Sequence, residues 1–400
     1  MTHSRRWRGT AILGALATLA VLPACDARSV SRSGEWAGTV DTLASGRLIV
    51  RNPDAPLWHD GEAWQLRERF RIGVADGDGA DVFGDIRDVE IGPDGNLYVL
   101  DSRAGEVRVF ANGGRHVRTF GRTGQGPGEL NRAVGFTFDS RGTLWVMNWR
   151  NGRYTAFDST GALVRETRRL ASYAMIPWPG RFSRSDELLD VGLGADGEPA
   201  ILGLDTAFVP RDTLRRPSTD PENLVQFRQG NTLVMSINAP FAPQPSWDAH
   251  PDGGIVVGVG DTYRLHRISW KGDTMMTIEV RRDPSPVSAA ERDSAAARFR
   301  EIGRQVDGAK PDHEPRIPTT KPAHDQIFVD DRSNIWVRRI DTPGSPPSWD
   351  VIDRDGRFLG TLTVPVEPTS VVPSVRGDLI AVVTEMDDIP TVIVYDIVRR

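Results

Sequence analysis

The sequence predicts an all-β fold: a six-bladed β-propeller built from four-stranded antiparallel blades, with one helical insertion. The first observation is a recurring unit in which a tight turn precedes a short apolar strand. Five copies are recognisable, and they begin near Pro93, Arg141, Asp252, Arg332 and Arg376. A repeat of this size cannot bury its apolar face alone, so the copies must stack on one another.

The second observation is a constant distance between two turns of a unit. In three units a second turn glycine follows the first by 19 residues, in the pairs Gly95 and Gly114, Gly142 and Gly161, and Gly253 and Gly272. Glycine suits these turns because it adopts positive φ without a Cβ clash. The turns divide a unit into four strands, which is the composition of a propeller blade.

Each blade can be placed along the chain. The clearest unit predicts strands at about Ile86–Ile91, Leu97–Asp101, Glu106–Phe110 and His116–Phe120. Such runs of β-branched and aromatic residues between Gly, Asp and Asn are typical of strands. Five blades are predicted at residues 85–121, 132–168, 172–214, 246–281 and 323–364. Because the unit at 172–214 is degenerate, rings of five or seven blades stay open.

The sixth blade starts at Thr369 and holds only three strands before the sequence ends at Arg400. Its missing strand is predicted within Trp64–Gly73. That strand would join both ends of the chain in one blade, which closes the ring and removes free sheet edges.

One family resemblance supports this architecture. The segment Pro93–Asp101, the pair Val109–Phe110 and the Gly-rich link Phe120–Leu130 resemble the NHL-type six-bladed β-propellers. The resemblance implies the fold and, more loosely, a role as a binding platform. A minority of such propellers are lyases or lactonases.

The insertion at residues 283–322 combines a helix with a Pro-rich loop. Ser288 and Glu291 have the spacing of a capping box, which predicts a helix over about Ala289–Val306. The loop Lys310–Pro322 follows. Helix and loop either cap one face of the propeller or form a lid or partner-docking element over the central channel.

The start of the chain predicts export. Arg5, Arg6 and Arg8 precede the apolar run Ala11–Leu22, whose 12 residues are too few to span a bilayer. The run ends in Leu-Pro-Ala-Cys, which resembles a bacterial lipobox with Cys25 as the lipidated residue. Residues 1–24 are therefore predicted to be a signal peptide. Ordinary signal cleavage, with Cys25 left as a thiol, is the alternative.

Residues 25–60 are predicted to be the lipidated Cys and a tether or N-terminal extension, and residues 61–400 to be the propeller. Thr39–Asp41 and Arg47–Arg51 are expected to be short strands packed on the ring. This organisation places the protein in the cell envelope, lipid-anchored and facing the periplasm or the cell surface.

The composition limits the partners. The chain is 39% hydrophobic and carries a net charge of −5, and loss of its first 24 residues makes it −8. A net acidic body argues against nucleic acid as a partner. A protein or small ligand of the envelope is expected instead, with membrane contact only through the lipid anchor.

No catalytic constellation stands out. The seven histidines lack zinc-site spacing, and Cys25 is the one cysteine. No cofactor is expected. The starts of the inner strands supply channel-mouth candidates, namely Arg87, Asp88, Arg132, Trp247, Asp248, His324 and Asp325. Of these, Asp88, Asp248, His324 and Asp325 are candidate ligands for Ca²⁺ or Zn²⁺. Isolated Asp and Arg residues at strand ends more often cap turns or form ion pairs.

These observations predict an envelope-anchored propeller that acts as a binding platform through its top-face loops and channel mouth. A metal-dependent lyase or lactonase-like hydrolase is an alternative, which requires at least three of the four candidate ligands to converge. A stabilising subunit of an envelope complex is another, which predicts an exposed apolar patch.

Overall fold

All six predicted blades are present in the computed structural model, which describes residues 36–59, 62–171, 173, 175–304, 308–340 and 345–399. The predicted signal peptide, Cys25 and the first part of the tether lie outside the described residues. The described chain begins with the strands β1 (Thr39–Thr42), β2 (Leu48–Asn52) and β3 (Gln65–Ile72).

The first three blades follow in order. Blade 1 contains β4 (Ile86–Ile91), β5 (Leu97–Asp101), β6 (Glu106–Phe110) and β7 (His116–Phe120). Blade 2 contains β8 (Ala133–Phe138), β9 (Leu144–Asn148), β10 (Arg153–Phe157) and β11 (Leu163–Arg168). Blade 3, the degenerate unit, contains β12 (Arg181–Phe182), β13 (Leu188–Leu193), β14 (Pro199–Leu204) and β15 (Pro210–Arg215).

Two insertions separate the later blades. A 3₁₀ turn (Pro221–Asn223) leads into β16 (Leu224–Gln229) and β17 (Thr232–Asn238). Blade 4 then contains β18 (Ser246–Ala249), β19 (Ile255–Gly258), β20 (Arg264–Ile268) and β21 (Thr274–Val280). The second insertion holds α1 (Ala289–Arg304) and β22 (Lys310–Pro311). Blade 5 contains β23 (Gln326–Val329), β24 (Ile335–Arg338), β25 (Ser348–Ile352) and β26 (Phe358–Thr363), and blade 6 contains β27 (Ser374–Arg376), β28 (Leu379–Met386) and β29 (Ile389–Val398).

The repeat pattern has a local cause at the first turn of each blade. Gly95, Gly142 and Gly253 adopt φ values of 76°, 80° and 88° there, and Ser333 takes the same place in blade 5 with a φ of 66°. The strand after the turn is buried on both sides, as in β5 and β9, because it packs against both neighbouring blades. Trp145 and Trp336 lie in these second strands and are buried, as predicted.

The predicted ring closure is confirmed. Strand β3 pairs antiparallel with β29 and completes blade 6 as its outermost strand. The last blade is therefore built from both ends of the chain, so the ring cannot open without breaking a full strand pairing.

The N-terminal segment also belongs to the folded ring. Strand β2 pairs in parallel with β21, and β1 pairs with β2, so the sheet of blade 4 has six strands. The buried Asn52 amide donates to the carbonyls of Glu279 and Gly356, and its oxygen accepts from the Phe358 amide at 2.8 Å. The short strands expected near residues 39–41 and 47–51 are thus present.

The two insertions pack against each other. Strand β16 pairs with both β17 and β22, and Phe227 of β16 contacts Phe299 of α1 with their rings 5.7 Å apart. Ser288 and Glu291 form the predicted capping box. The predicted end of the helix at 305–306 lies outside the described residues. The hairpin of β16 and β17 had no counterpart in the sequence analysis.

Candidate functional site in the central channel

A cavity of about 490 Å³ lies in the central channel. It opens on the face that carries the turns between the first and second strands, because Pro93, Asp139, Arg184 and Asp331 at those turns line it. No described residue of the insertion 283–322 lines the cavity, so α1 does not cover this mouth.

Equivalent positions of four blades place polar side chains in this cavity. Glu90, Thr137, Arg181 and Asp248 each lie two residues before the residue that begins the first turn of its blade. Because the repeat is structural, equivalent positions lie at the same height around the channel axis. At this height, blades 1 to 4 therefore each contribute one polar group to the cavity.

Arg181 crosses from blade 3 towards blade 5. Its Nη1 donates to the carbonyl of Val329 and lies 3.4 Å from Asp248 Oδ2. Arg184 makes a parallel crossing nearer the mouth, where Nη2 donates to the Asp331 carbonyl at 2.9 Å. These two guanidinium groups occupy the side of the channel in front of blade 4.

The predicted candidates Asp88 and Asp248 both line the cavity, and both tie neighbouring inner strands together. Asp88 Oδ2 accepts from the Phe136 amide at 2.7 Å, which joins blades 1 and 2. Asp248 Oδ2 accepts from the Val329 amide at 2.8 Å, which joins blades 4 and 5. Burial raises the pKa of both carboxyl groups. These carboxylate oxygens therefore stabilise the contacts between neighbouring blades.

Hydrogen bonds also join the other pairs of neighbouring blades around the channel. Ser140 donates to Asp186 between blades 2 and 3, and the Arg184 amide donates to the Pro251 carbonyl between blades 3 and 4. The Gly377 amide donates to Asp331 between blades 5 and 6, and Arg376 Nε donates to the Ile91 carbonyl between blades 6 and 1. Hydrogen bonds thus join every pair of neighbouring blades around the site.

Glu90 differs from the other cavity carboxylates. Burial raises the pKa of Glu90 to about 7, although Arg181, Arg376 and the Thr137 hydroxyl favour its ionised form. In the part of the chain that the structure describes, no Arg or Lys comes within ion-pair distance of it. A partly desolvated carboxyl group of this kind, in a cleft, is a candidate functional group.

Three predicted channel residues do not line this cavity. Arg87 pairs with Asp85 at 2.8 Å and lines a smaller cavity of about 210 Å³ at the starts of the inner strands. Arg132 is exposed and adopts a φ of 50°. Trp247 packs into the apolar cluster between blades 3 and 4 that contains Leu189.

His324 and Asp325 do not join Asp88 and Asp248 in the channel cavity. His324 is fully buried beside Tyr263, and Asp325 pairs with Arg338 at 2.7 Å. Across the described ranges, no group of three or more His, Cys, Asp or Glu side chains is arranged to hold a metal ion. The convergence that a channel metal would require of these four residues is not observed.

Sequence reasoning missed Glu90, Arg181 and Arg376. The signal for the first two is their position two residues before the first turn, shared with Thr137 and Asp248. Among the exposed large apolar side chains of the described residues, Leu163–Val164 and Leu233–Val234 are adjacent in sequence.

The propeller fold is supported by a matching family and by one solved structure. A family described as 6-bladed beta-propeller, DUF5128, matches residues 81–177. A Bacteroides fragilis protein described as exported is 11% identical with a TM-score of 0.50, and the alignment covers 88% of this chain and 99% of that one. Virginiamycin B lyase from Staphylococcus aureus is 9% identical with a TM-score of 0.44, over 84% and 100% of the two chains. No curated protein matches the sequence significantly.

Proposed function

We propose that this protein is an exported, lipid-anchored propeller of the NHL type that binds a small polar ligand in its central channel. The observation that carries the proposal is the channel cavity, in which Glu90, Arg181 and Asp248 converge. Its volume of about 490 Å³ lies within the range of small-molecule sites. The rigid ring orders these polar groups in advance, which lowers the entropic cost of binding.

Export and anchoring are supported by the sequence. The apolar run Ala11–Leu22 and the following Cys25 have the order of a lipoprotein signal. The likeness to a protein described as exported is consistent with this proposal. Among the described residues, no helix is long and apolar enough to cross a membrane.

A second candidate is acid–base catalysis in the same cavity. It is favoured by Glu90, because a carboxyl group with a pKa of about 7 can donate or accept a proton near neutral pH. Arg181 would stabilise negative charge that develops on a substrate. Chemical conversion of a bound compound distinguishes this candidate from simple binding.

The test is a thermal-shift screen of the purified protein against small polar molecules of positive, negative and zero charge. Compounds that stabilise the wild type should lose their effect in Arg181→Gln or in Glu90→Gln, which remove the positive and the negative group of the cavity in turn. They should keep it in Arg87→Gln, a matched substitution at the opposite end of the channel. If no compound stabilises the wild type, or if both cavity variants respond as the wild type does, channel binding is refuted. Mass spectrometry of each stabilising compound after incubation reports catalysis.

A further inference from the structure

Among the described residues, one carboxylate of the cavity has neither a backbone donor nor a cation as a direct partner. Six carboxylates and three guanidinium groups line the cavity. Asp139 and Asp330 accept from the backbone amides and the indole N–H of their own turns. Asp331 accepts from Gly377, and Asp88 and Asp248 accept from inner-strand amides. Glu90 alone lacks a backbone or cationic partner among the described residues.

The three arginine side chains that line the cavity already contact other protein groups. Arg181 is bound to the Val329 carbonyl and Asp248, and Arg184 to Asp252 and the Asp331 carbonyl. Arg376 donates to the Ile91 carbonyl at 2.7 Å. None of them can turn to Glu90 without abandoning a contact that holds the ring together. A cation that pairs directly with Glu90 would therefore come from outside the described residues.

We propose that the channel cavity binds a small organic cation, a primary amine or a guanidinium compound, through the carboxylate of Glu90. This inference rests on the proposed ligand-binding function and names the chemical class of its ligand. Glu90 projects from blade 1, opposite blade 4, whereas Arg181 and Arg184 fill the side in front of blade 4. A cation at Glu90 thus gains an ion pair in a partly desolvated cavity, and the excess of carboxylates offsets the nearby guanidinium charge.

Binding of such a ligand is coupled to a proton. The groups that face Glu90 are Arg181 and Arg376, the Thr137 hydroxyl, and the carboxyl groups of Asp88 and Asp248. Burial holds the pKa of Glu90 at about 7, and the ligand binds the ionised form. Affinity should therefore fall about tenfold between pH 8 and pH 6, because the ionised fraction falls by that factor.

The experiment is isothermal titration calorimetry of the full protein with putrescine, 1,4-butanediol and succinate, which share a four-carbon chain but differ in charge. Glu90→Gln removes the charge and keeps the shape. Glu385→Gln, an exposed position at the opposite end of the channel, is the matched control. Thermal unfolding of each variant reports whether the ring remains intact.

Putrescine should bind to the wild type and to Glu385→Gln. Its affinity for Glu90→Gln should be at least tenfold lower, and its affinity for the wild type should be about tenfold lower at pH 6 than at pH 8. Unchanged affinity in a folded Glu90→Gln, or equal binding of succinate or butanediol, would overturn the cation inference and leave channel binding intact. Absence of putrescine binding at 10 mM would also overturn it. The thermal-shift screen then decides separately whether the channel binds any ligand.

Discussion

Replacement of His324 by Leu should remove part of the acid sensitivity of this protein. The His324 ring is fully buried between blades 4 and 5, where a Cβ on Gly258 would lie only 2.7 Å from its Nε2. Neither ring nitrogen has a hydrogen-bond partner among the described residues. Burial lowers the pKa of His324 from 6.5 to about 4, although Asp325 and Asp261 favour the protonated form.

The sign and size of the effect follow from proton linkage. Because the pKa is lower in the folded state, the unfolded chain binds the proton more tightly between pH 6.5 and pH 4. The free energy of unfolding therefore decreases as the pH falls through this window. With these two pKa values, His324 costs about 2 kcal/mol at pH 5 and almost nothing at pH 7.5.

The assay is guanidinium chloride unfolding at pH 7.5 and pH 5.0, followed by fluorescence of the 11 tryptophans. His324→Leu should lose about 2 kcal/mol less than the wild type between these pH values. His59→Leu, at an exposed position, is the control and should behave as the wild type. His250, whose pKa burial also lowers to about 4, remains in every variant, so its contribution cancels. Equal pH dependence in His324→Leu and the wild type would refute the reasoning.

Three further predictions test the fold and the anchor. Asp190→Asn should lower the free energy of unfolding by about 3–5 kcal/mol, because it leaves the buried Arg169, whose Nε lies 2.7 Å from Asp190 Oδ2, without its counter-ion. Asp378→Asn, at an exposed ion pair, is the control and should lower it by less than about 1 kcal/mol. Asn52→Ala should leave several buried backbone groups unpaired, at about 1–3 kcal/mol each, and expose the N-terminal segment to protease before the ring. Cys25→Ser should move the protein from the membrane fraction to the soluble fraction, and unchanged fractionation would contradict lipid anchoring.

Features of the fold that depend on local sequence could be predicted. The 19-residue spacing of turn glycines located the blades, because positive φ at a tight turn is a requirement of a few neighbouring residues. The closing strand β3 could be predicted from the three-stranded last blade, since an unpaired sheet edge is unfavourable. The capping box located α1 for the same local reason.

Features that depend on pairing between distant segments could not be predicted from the sequence. The hairpin of β16 and β17 is covered by α1, and its contact between Gln226 and Asp312 joins residues 86 positions apart. Asp88 and Asp248 line the channel cavity, but their hydrogen-bond partners could not be identified from the sequence. Their partners are amides of the next blade, 48 and 81 positions away.

The sequence by itself determined the repeat, the blade positions and the closure of the ring, because strands and turns are set by short-range periodicity and backbone conformation. Only the tertiary structure decided which polar side chains are already satisfied and which is not. That distinction depends on groups that separate blades bring together across the channel. Arg181 reaches Val329, for example, while Glu90 forms no direct ion pair among the described residues. The desolvation of such a side chain arises only in the closed ring, so it cannot be predicted from any single segment of the chain.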